Sequence, residues 1–399
     1  MNIVHIAPNA PFNDGWGYQD NLLPKYHAKL GHKTTLLVTN LTHTENGLAE
    51  TSAGKFVSVD GFDFERIKYE KCINGKITMF VSKMNVYDRL MQIKPDFIFY
   101  HGLVSTTIFD VIRYKKYCNK NGGDCVIVQD NHLDYNIGIN PVTIKNKLKR
   151  TYYKAINAIS QKHVDKVYGV TPWREEYARE FFGIAPSKTD VLIMGADDEK
   201  IDFENKESIR ESIRKQYGIT EDEFLVVSGG KIDEKKKVLQ LMEACSKTEE
   251  VKLLVFGSVA EELKKDFNKL IEENDNIVYI GWIPADKCYD YFFAADLAVF
   301  PGQHSVLWEQ ACAAKVPCVF AKWPGMHHVN NGGNSAFLEQ IDSCSIKNMI
   351  EELRFTEKYC QMKEVAQSAA TDIYLYSEIA KKSLSVIENK LKNDFKNFN

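Results

Sequence analysis

Short runs of apolar, β-branched and aromatic residues alternate along the chain with longer stretches in which apolar positions recur at helical spacing. Residues 2–7, 34–39, 96–100, 125–129 and 166–170 read as strands, and several are nearly continuous apolar runs, the pattern of a parallel sheet covered on both faces. Residues 20–30 carry a helical pattern that stops at Gly31, so the chain opens as strand, glycine-containing loop, helix, glycine, strand. Between 183 and 198, Pro186, Gly195 and adjacent acids mark a crossing. The same grammar then repeats, with strands expected at 224–228, 252–256, 277–280, 297–300 and 318–321 and helices at 238–246 and 261–274. Short-period repeats are absent, which disfavours solenoids and propellers. The pattern predicts an α/β chain of two Rossmann-like domains, residues 1–185 and 186–372. A lysine-rich amphipathic helix over 373–399 is expected to return to the first.

Composition narrows the function classes. At 399 residues and 44% hydrophobic content the chain can bury two ordinary cores. Its net charge of −3, with Lys and Glu interspersed, gives no electrostatic case for a nucleic-acid partner. Nine scattered cysteines without a CxxC pair predict reduced thiols and a cytoplasmic setting. The N-terminus lacks the features of a signal peptide, and no apolar run approaches the roughly 18 residues that span a bilayer, so any membrane contact is expected to be peripheral. The basic amphipathic stretch 144–162 is the candidate for such contact: Ile144, Leu148, Tyr152, Ala155 and Ile159 share one face, with Lys145, Lys147, Lys149, Arg150 and Lys154 elsewhere. Packing of that face on its own sheet is the competing reading.

Loops after parallel strands are where an open α/β sheet binds ligands, because backbone N–H groups and helix N-termini converge there. Gly15 and Gly17 lie in such a loop, although Asp20 occupies the third small position of a dinucleotide fingerprint, so that fingerprint is absent. In SGGKIDEKKKVLQLMEA, a strand ends at Gly229 and Gly230, and Lys231, Lys235, Lys236 and Lys237 precede a helix. Cations at that edge suit a diphosphate. In PGQHSVLWEQACAAKVP, N–H groups of His304, Ser305 and Val306 could meet phosphate oxygens, and Glu309 could accept hydrogen bonds from two ribose hydroxyls. A turn, a solvated lysine loop and a surface helix residue are the plain alternatives. Without HxH, HExxH or DxD spacing no metal site is expected, since lysines can offset diphosphate charge.

The order and spacing of these elements resemble the retaining GT-B glycosyltransferases of the family 4 type (glycosyl transferases group 1) over nearly the whole chain. Gly230, Lys231, Lys236 and Glu243-Ala244 match GRLxxxKGxxxLxxA without a gap. Gly15 and Gly17 match the N-terminal glycine loop, Gly31-His32 the GHxV element, and Gly195-Ala196-Asp197 the GVD before the linker. Residues 294–301, AADLAVFP, look like ADxxxxPS, and 309–317 look like EAMAxGxPV. Two positions depart from the family. Pro301 stands where EGFGxxxxE has its first glutamate, and Gln129-Asp130 replaces His-Asp, with His132 two residues on.

The resemblance implies two domains with parallel sheets facing a central cleft, and transfer of a sugar from a UDP- or GDP-sugar to a saccharide or lipid-linked acceptor with retention. Lys231 and Lys236 would neutralise the leaving diphosphate, and Glu309 would anchor ribose. Main chain near Trp282 and Ile283 would meet the base, while Asp130, His101 and His132 would face the sugar or acceptor. It further implies surface polysaccharide or glycolipid synthesis, at the inner face of a membrane and without a metal cofactor. A nucleotide-sugar epimerase of the same architecture and a catalytically silent nucleotide-sugar-binding subunit are the alternative readings.

Overall fold

A computed structural model describes residues 1–45, 47–70, 83–136 and 143–397. The chain divides into two compact units, residues 1–193 with 379–399, and residues 194–378.

The first unit is built on an eight-stranded sheet formed by β1 (Asn2–Ala7), β2 (Lys33–Thr39), β3 (Gly54–Val57), β4 (Asp63–Ile67), β5 (Phe97–Tyr100), β6 (Val126–Asn131), β7 (Lys166–Gly169) and β8 (Thr189–Val191). The spatial order is β8-β7-β6-β5-β1-β2-β4-β3. Every pairing is parallel except that of the edge strand β3 with β4. In β1, Ile3, Val4, His5 and Ile6 are all fully buried, as expected where both sheet faces are covered. Strand β8 pairs with β7 through Thr189–Val191, so residues following the helix at 172–182 remain with this sheet. Three helices matter below: α1 (Gln19–Lys29), α2 (Ile144–Ser160) and α3 (Pro172–Phe182). Helix α3 begins where its composition dictates, with Pro172 in the first turn and the Thr171 side chain accepting the Arg174 N–H.

The second unit has a six-stranded, all-parallel sheet: β9 (Phe224–Ile232), β10 (Val251–Val259), β11 (Ile277–Gly281), β12 (Leu297–Phe300), β13 (Cys318–Ala321) and β14 (Ser335–Leu338), in the order β11-β10-β9-β12-β13-β14. The helices used below are α4 (Lys206–Gln216), α5 (Val238–Cys245) and α6 (Leu307–Ala313). Its core joins Val226, Leu253, Val255 and Leu297 from the strands to Leu241, Met242, Ile346 and Ile350 from the helices. Helix α7 (Tyr376–Asn397) leaves this unit near Glu378 and packs in the first.

All ten strands expected from the apolar runs are present, most displaced by no more than a residue or two at an end. β9 and β10 continue to Ile232 and Val259, well past their apolar runs, because polar Gly230 and Lys231 still pair with Gly257 and Ser258. The structure adds the strands β3, β4, β8 and β14, and a hairpin of residues 41–44 with 47–50. The eight cysteines among the described residues are free thiols, and no described helix is long and apolar enough to cross a membrane.

Candidate functional site

In the second unit the carboxyl ends of β9 and β12 lie side by side, and the loops beyond them are laced together. The Lys236 ammonium donates to the carbonyls of Gln303 (2.7 Å) and His304 (2.9 Å), the Gln303 N–H donates to the Lys235 carbonyl (2.8 Å), and Trp323 Nε1–H donates to the Gly302 carbonyl (3.2 Å). A Cβ on Gly302 would stand 2.3 Å from the Lys236 carbonyl carbon, so only glycine allows the loops this close. Burial lowers the Lys236 pKa, with Asp233 opposing the shift. Lys236 therefore acts first as a strap that sets loop shape. Lys231 differs: its side chain is 71% exposed and, among the described residues, pairs with Asp233 at 3.3 Å. Gly230 sits against Leu307 of α6, and Gly257 takes φ of 124° with its would-be Cβ 1.8 Å from the Gly230 carbonyl oxygen, which fixes glycine on the adjacent strand as well.

Glu309 lies in the first turn of α6 and is fully buried. Its Oε1 accepts hydrogen bonds from His304 Nε2 and His328 Nε2, each at 2.8 Å, and Tyr374 Oη donates to the His328 carbonyl at 2.7 Å. Burial acts to raise the Glu309 pKa, but the two histidines outweigh it and bring the value down to about 2. Glu309 Oε2 and His328 Nδ1 are buried without a hydrogen-bond partner. An unpaired buried carboxylate oxygen is costly, and a ligand hydroxyl would satisfy it. The three side chains also place two imidazole nitrogens and a carboxylate oxygen within 4.8 Å of one another, a ligand set suited to a transition metal. Direct N–H···O bonds at 2.8 Å account for the arrangement without one.

Two lysines occupy left-handed backbone where the family patterns carry glycine. Lys237 has φ of 57° at the glycine of GRLxxxKGxxxLxxA, and Lys315 has φ of 65° at the glycine of EAMAxGxPV. Each costs on the order of 1–2 kcal/mol. Counted from Lys315 and Pro317, the glutamate of EAMAxGxPV falls on Gln310, half-buried on α6, one residue past Glu309. His304, Ser305 and Val306 form the turn that leads into α6, with the Trp308 N–H on the Ser305 carbonyl. Trp282, 71% exposed, and Ile283 follow β11 at the same sheet edge but two strands from β9.

In the first unit the loop after β1 is pinned by Asp14, which accepts from Ser58 Oγ–H (2.5 Å) and the Val59 N–H (3.0 Å). Gly15 has φ of 75°, and nothing lies within 4 Å of a Cβ placed on Gly17, an open backbone position. Asp130 is the penultimate residue of β6, a strand buried along its whole length. Its Oδ1 accepts the Gly102 N–H (2.6 Å), and its Oδ2 accepts from His101 Nδ1 (3.0 Å) and His132 Nε2 (3.3 Å). Burial would raise its pKa, yet the histidines hold the carboxyl well below the usual carboxylate range. So weak a base is poorly suited to take a proton from an acceptor hydroxyl. His132, with a side chain 44% exposed, is the member of this cluster that reaches solvent.

Sequence reasoning singled out Glu309, His304, His101 and Asp130 but missed His328, His5 and His27. His328 lies 19 residues from Glu309 in sequence and meets it only through the sheet. His5 does leave a trace, as the polar residue inside a buried strand.

Three comparisons bear on this geometry. Residues 209–369 match the family model for glycosyl transferases group 1. A lipopolysaccharide 1,2-N-acetylglucosaminetransferase of Salmonella typhimurium is 24% identical over 208 residues, 48% of this chain and 54% of that protein. The chain thus spans about half the length of the curated relative it matches. Among solved structures, Anabaena Alr3699/HepE in complex with UDP has a TM-score of 0.67 at 14% identity, over 98% of this chain and all of that one. A glycosyltransferase from Rickettsia africae has 0.66 at 16%, over 98% and 99%. The fold is GT-B, with two Rossmann-like domains.

Proposed function

We propose that the protein is a glycosyltransferase that moves a sugar from a nucleotide diphosphate sugar to a saccharide or lipid-linked saccharide, with retention of configuration and without a metal. The observation that carries this reading is the laced edge of the second sheet, where Lys231 is exposed near the end of β9 and Glu309, in the helix after β12, has a second carboxylate oxygen without a partner, within the segment that matches the glycosyl transferases group 1 model. Lys231 would pair with the diphosphate and offset the charge that grows on it as the sugar departs. Lys236 would hold the loop that shapes the phosphate site, with the 304–306 turn lining it. Glu309 would receive a ribose hydroxyl, and the main chain at Trp282 and Ile283 would meet the base. In the first unit Gly15 and Gly17 would admit the donor closely, and His101, Asp130 and His132 would face sugar or acceptor, His132 making the contact. UDP is the favoured nucleotide because the solved Anabaena relative is in complex with it. The similarity to an enzyme of lipopolysaccharide synthesis supports a place in surface polysaccharide or glycolipid assembly.

Binding of UDP-, GDP-, ADP- and CMP-sugars, measured with chelator and without added metal, tests the class. One nucleotide diphosphate sugar should bind selectively, and Lys231→Ala should weaken it about tenfold, the loss of one exposed charge-assisted contact. Absence of binding to all four by folded protein would overturn the proposal, and binding that appears only when divalent metal is restored would overturn its metal-free part.

Peripheral membrane contact through 144–162 belongs to the same proposal. Helix α2 buries Tyr153, Ile156, Asn157 and Ser160. Ile144, Leu148 and Ile159 are left 78%, 65% and 54% exposed, with Lys145, Lys147 and Lys154 exposed beside them. Of the face with the basic flank, half-buried Tyr152 packs against the core, while Ile144, Leu148 and Ile159 stay exposed. Vesicles containing anionic lipid should co-sediment the protein more than neutral vesicles do, and Leu148→Ser should reduce the difference; equal sedimentation with both would remove this contact.

A further inference from the structure

Three buried side chains and the half-buried His101 form one continuous hydrogen-bonded line in the first unit. It runs from Asp130 Oδ2 to His101 Nδ1 (3.0 Å), from His101 Nε2 to His5 Nδ1 (3.2 Å), and from His5 Nε2 to His27 Nδ1 (2.9 Å). It ends on helix α7, where His27 Nε2 meets Ser383 Oγ (2.8 Å) and the Ala380 carbonyl (3.3 Å). The rings are closely associated as well, with His5 stacked on Phe99 and on His101.

The direction of every bond in this line follows from its two ends. His27 Nε2 lies within reach of the Ala380 carbonyl, which can only accept, and of Ser383 Oγ, whose hydroxyl is itself 2.7 Å from that carbonyl; a proton on His27 Nε2 lets all of these contacts be made at once. His27 and His5 are fully buried, and burial drives both toward the neutral form, His27 down to about 3 and His5 well below the ordinary value. A neutral His27 has a lone pair on Nδ1, which accepts the His5 Nε2 proton. A neutral His5 then has its lone pair on Nδ1, which accepts from His101 Nε2. The opposite nitrogen of His101 faces an ionised carboxylate, which can only accept. In this arrangement both nitrogens of His101 donate.

We propose that His5 and His27 are positioning residues that polarise this line from helix α7 and hold His101 as an imidazolium paired with the Asp130 carboxylate. Asp130 is thereby kept as a fixed anion, and His132, bonded to the same oxygen, is left as the cluster's exposed group for exchanging a proton with a ligand. Two further ionisable groups act on the line: Asp20 of α1, whose carboxyl pKa is raised, chiefly by burial, is coupled to His101, His132 and Asp130, and His32, just before β2, acts on His27. That the cluster faces a ligand rests on the function proposed above. The protonation of His101 does not.

The test is nitrogen NMR of the full chain labelled at histidine, at neutral pH, with each signal assigned by single-histidine substitution. Wild-type protein should show protons on both nitrogens of His101 and on Nε2 alone of His5 and His27. His27→Gln supplies an amide N–H toward Ala380 and an oxygen toward His5, so it should preserve that state. His27→Leu removes the acceptor for His5, which can then reverse and donate to His101, leaving His101 with a proton on Nδ1 only. A singly protonated His101 in the wild type, or a doubly protonated one in folded His27→Leu, would overturn the assignment. Should His27→Leu not fold, His5→Phe gives the same expectation, and the wild-type spectrum decides by itself. Failure of nucleotide-sugar binding would strike the proposed function and leave these nitrogen signals as they are.

Discussion

Replacing Asp296 with alanine should destabilise the second unit by about 3–5 kcal/mol, the range for removing one partner from a buried ion pair. Asp296 immediately precedes β12 and is almost wholly buried. Its carboxylate meets Arg210 (2.6 Å) and Arg214 (3.1 Å) from α4 and accepts the Leu225 N–H (2.8 Å) at the start of β9. Its own carbonyl accepts from Tyr359 Oη at 3.1 Å. One aspartate therefore ties a helix to two neighbouring strands, and its loss strands two guanidinium groups beside the carbonyls of Ala294, Thr220 and Glu223. Asp296→Asn keeps the acceptor oxygen and should lose less. Urea unfolding followed by a probe confined to residues 194–378 measures the difference; a change below about 1 kcal/mol, the worth of an exposed pair, would show that the arginines find other partners.

The second large effect is on acid stability. Glu309 has a folded value near 2 against an ordinary 4.5, a depressed carboxyl, so its contribution is complete above about pH 4.5 and disappears as pH falls toward 2. The shift corresponds to at most about 3 kcal/mol. Glu309→Gln should be less stable than the wild type at pH 6 and should flatten its loss of stability between pH 5 and 3. Asp130 is depressed in the same direction, so some acid sensitivity will remain. Parallel stability curves for wild type and Glu309→Gln would mean that the histidine contacts contribute nothing to folding.

Much of the fold was legible because parallel strands buried on both faces announce themselves as apolar runs. The strands at 54–57 and 63–67 were not, since β3 is exposed at the sheet edge and β4 only partly buried, leaving no continuous run to see. β8 has three residues and mixes polar with apolar, and β14 opens on a serine and is fully buried only at its two ends. At the site, Gly230, Lys231 and Lys236 were visible as a spaced cluster, but the division of labour between the lysines was not. Lys236 is consumed by two carbonyls because the loop after β12 approaches at Gly302, a contact that spacing within one segment cannot reveal. Glu309 was expected near the surface of α6. It is interior because His304 and His328 arrive from two other loops to cover it.

Helix α7 sets an order in time. Residues 194–378 are continuous, so the second unit has its whole sequence once residue 378 has emerged from the ribosome. The first unit does not: His27 bonds Ser383, 356 residues later in the chain. Vectorial synthesis normally favours the N-terminal domain as the first to finish. Here the earlier-made sheet lacks the helix that bonds His27 until the second unit has been made, and a segment translated after that unit completes the one before it.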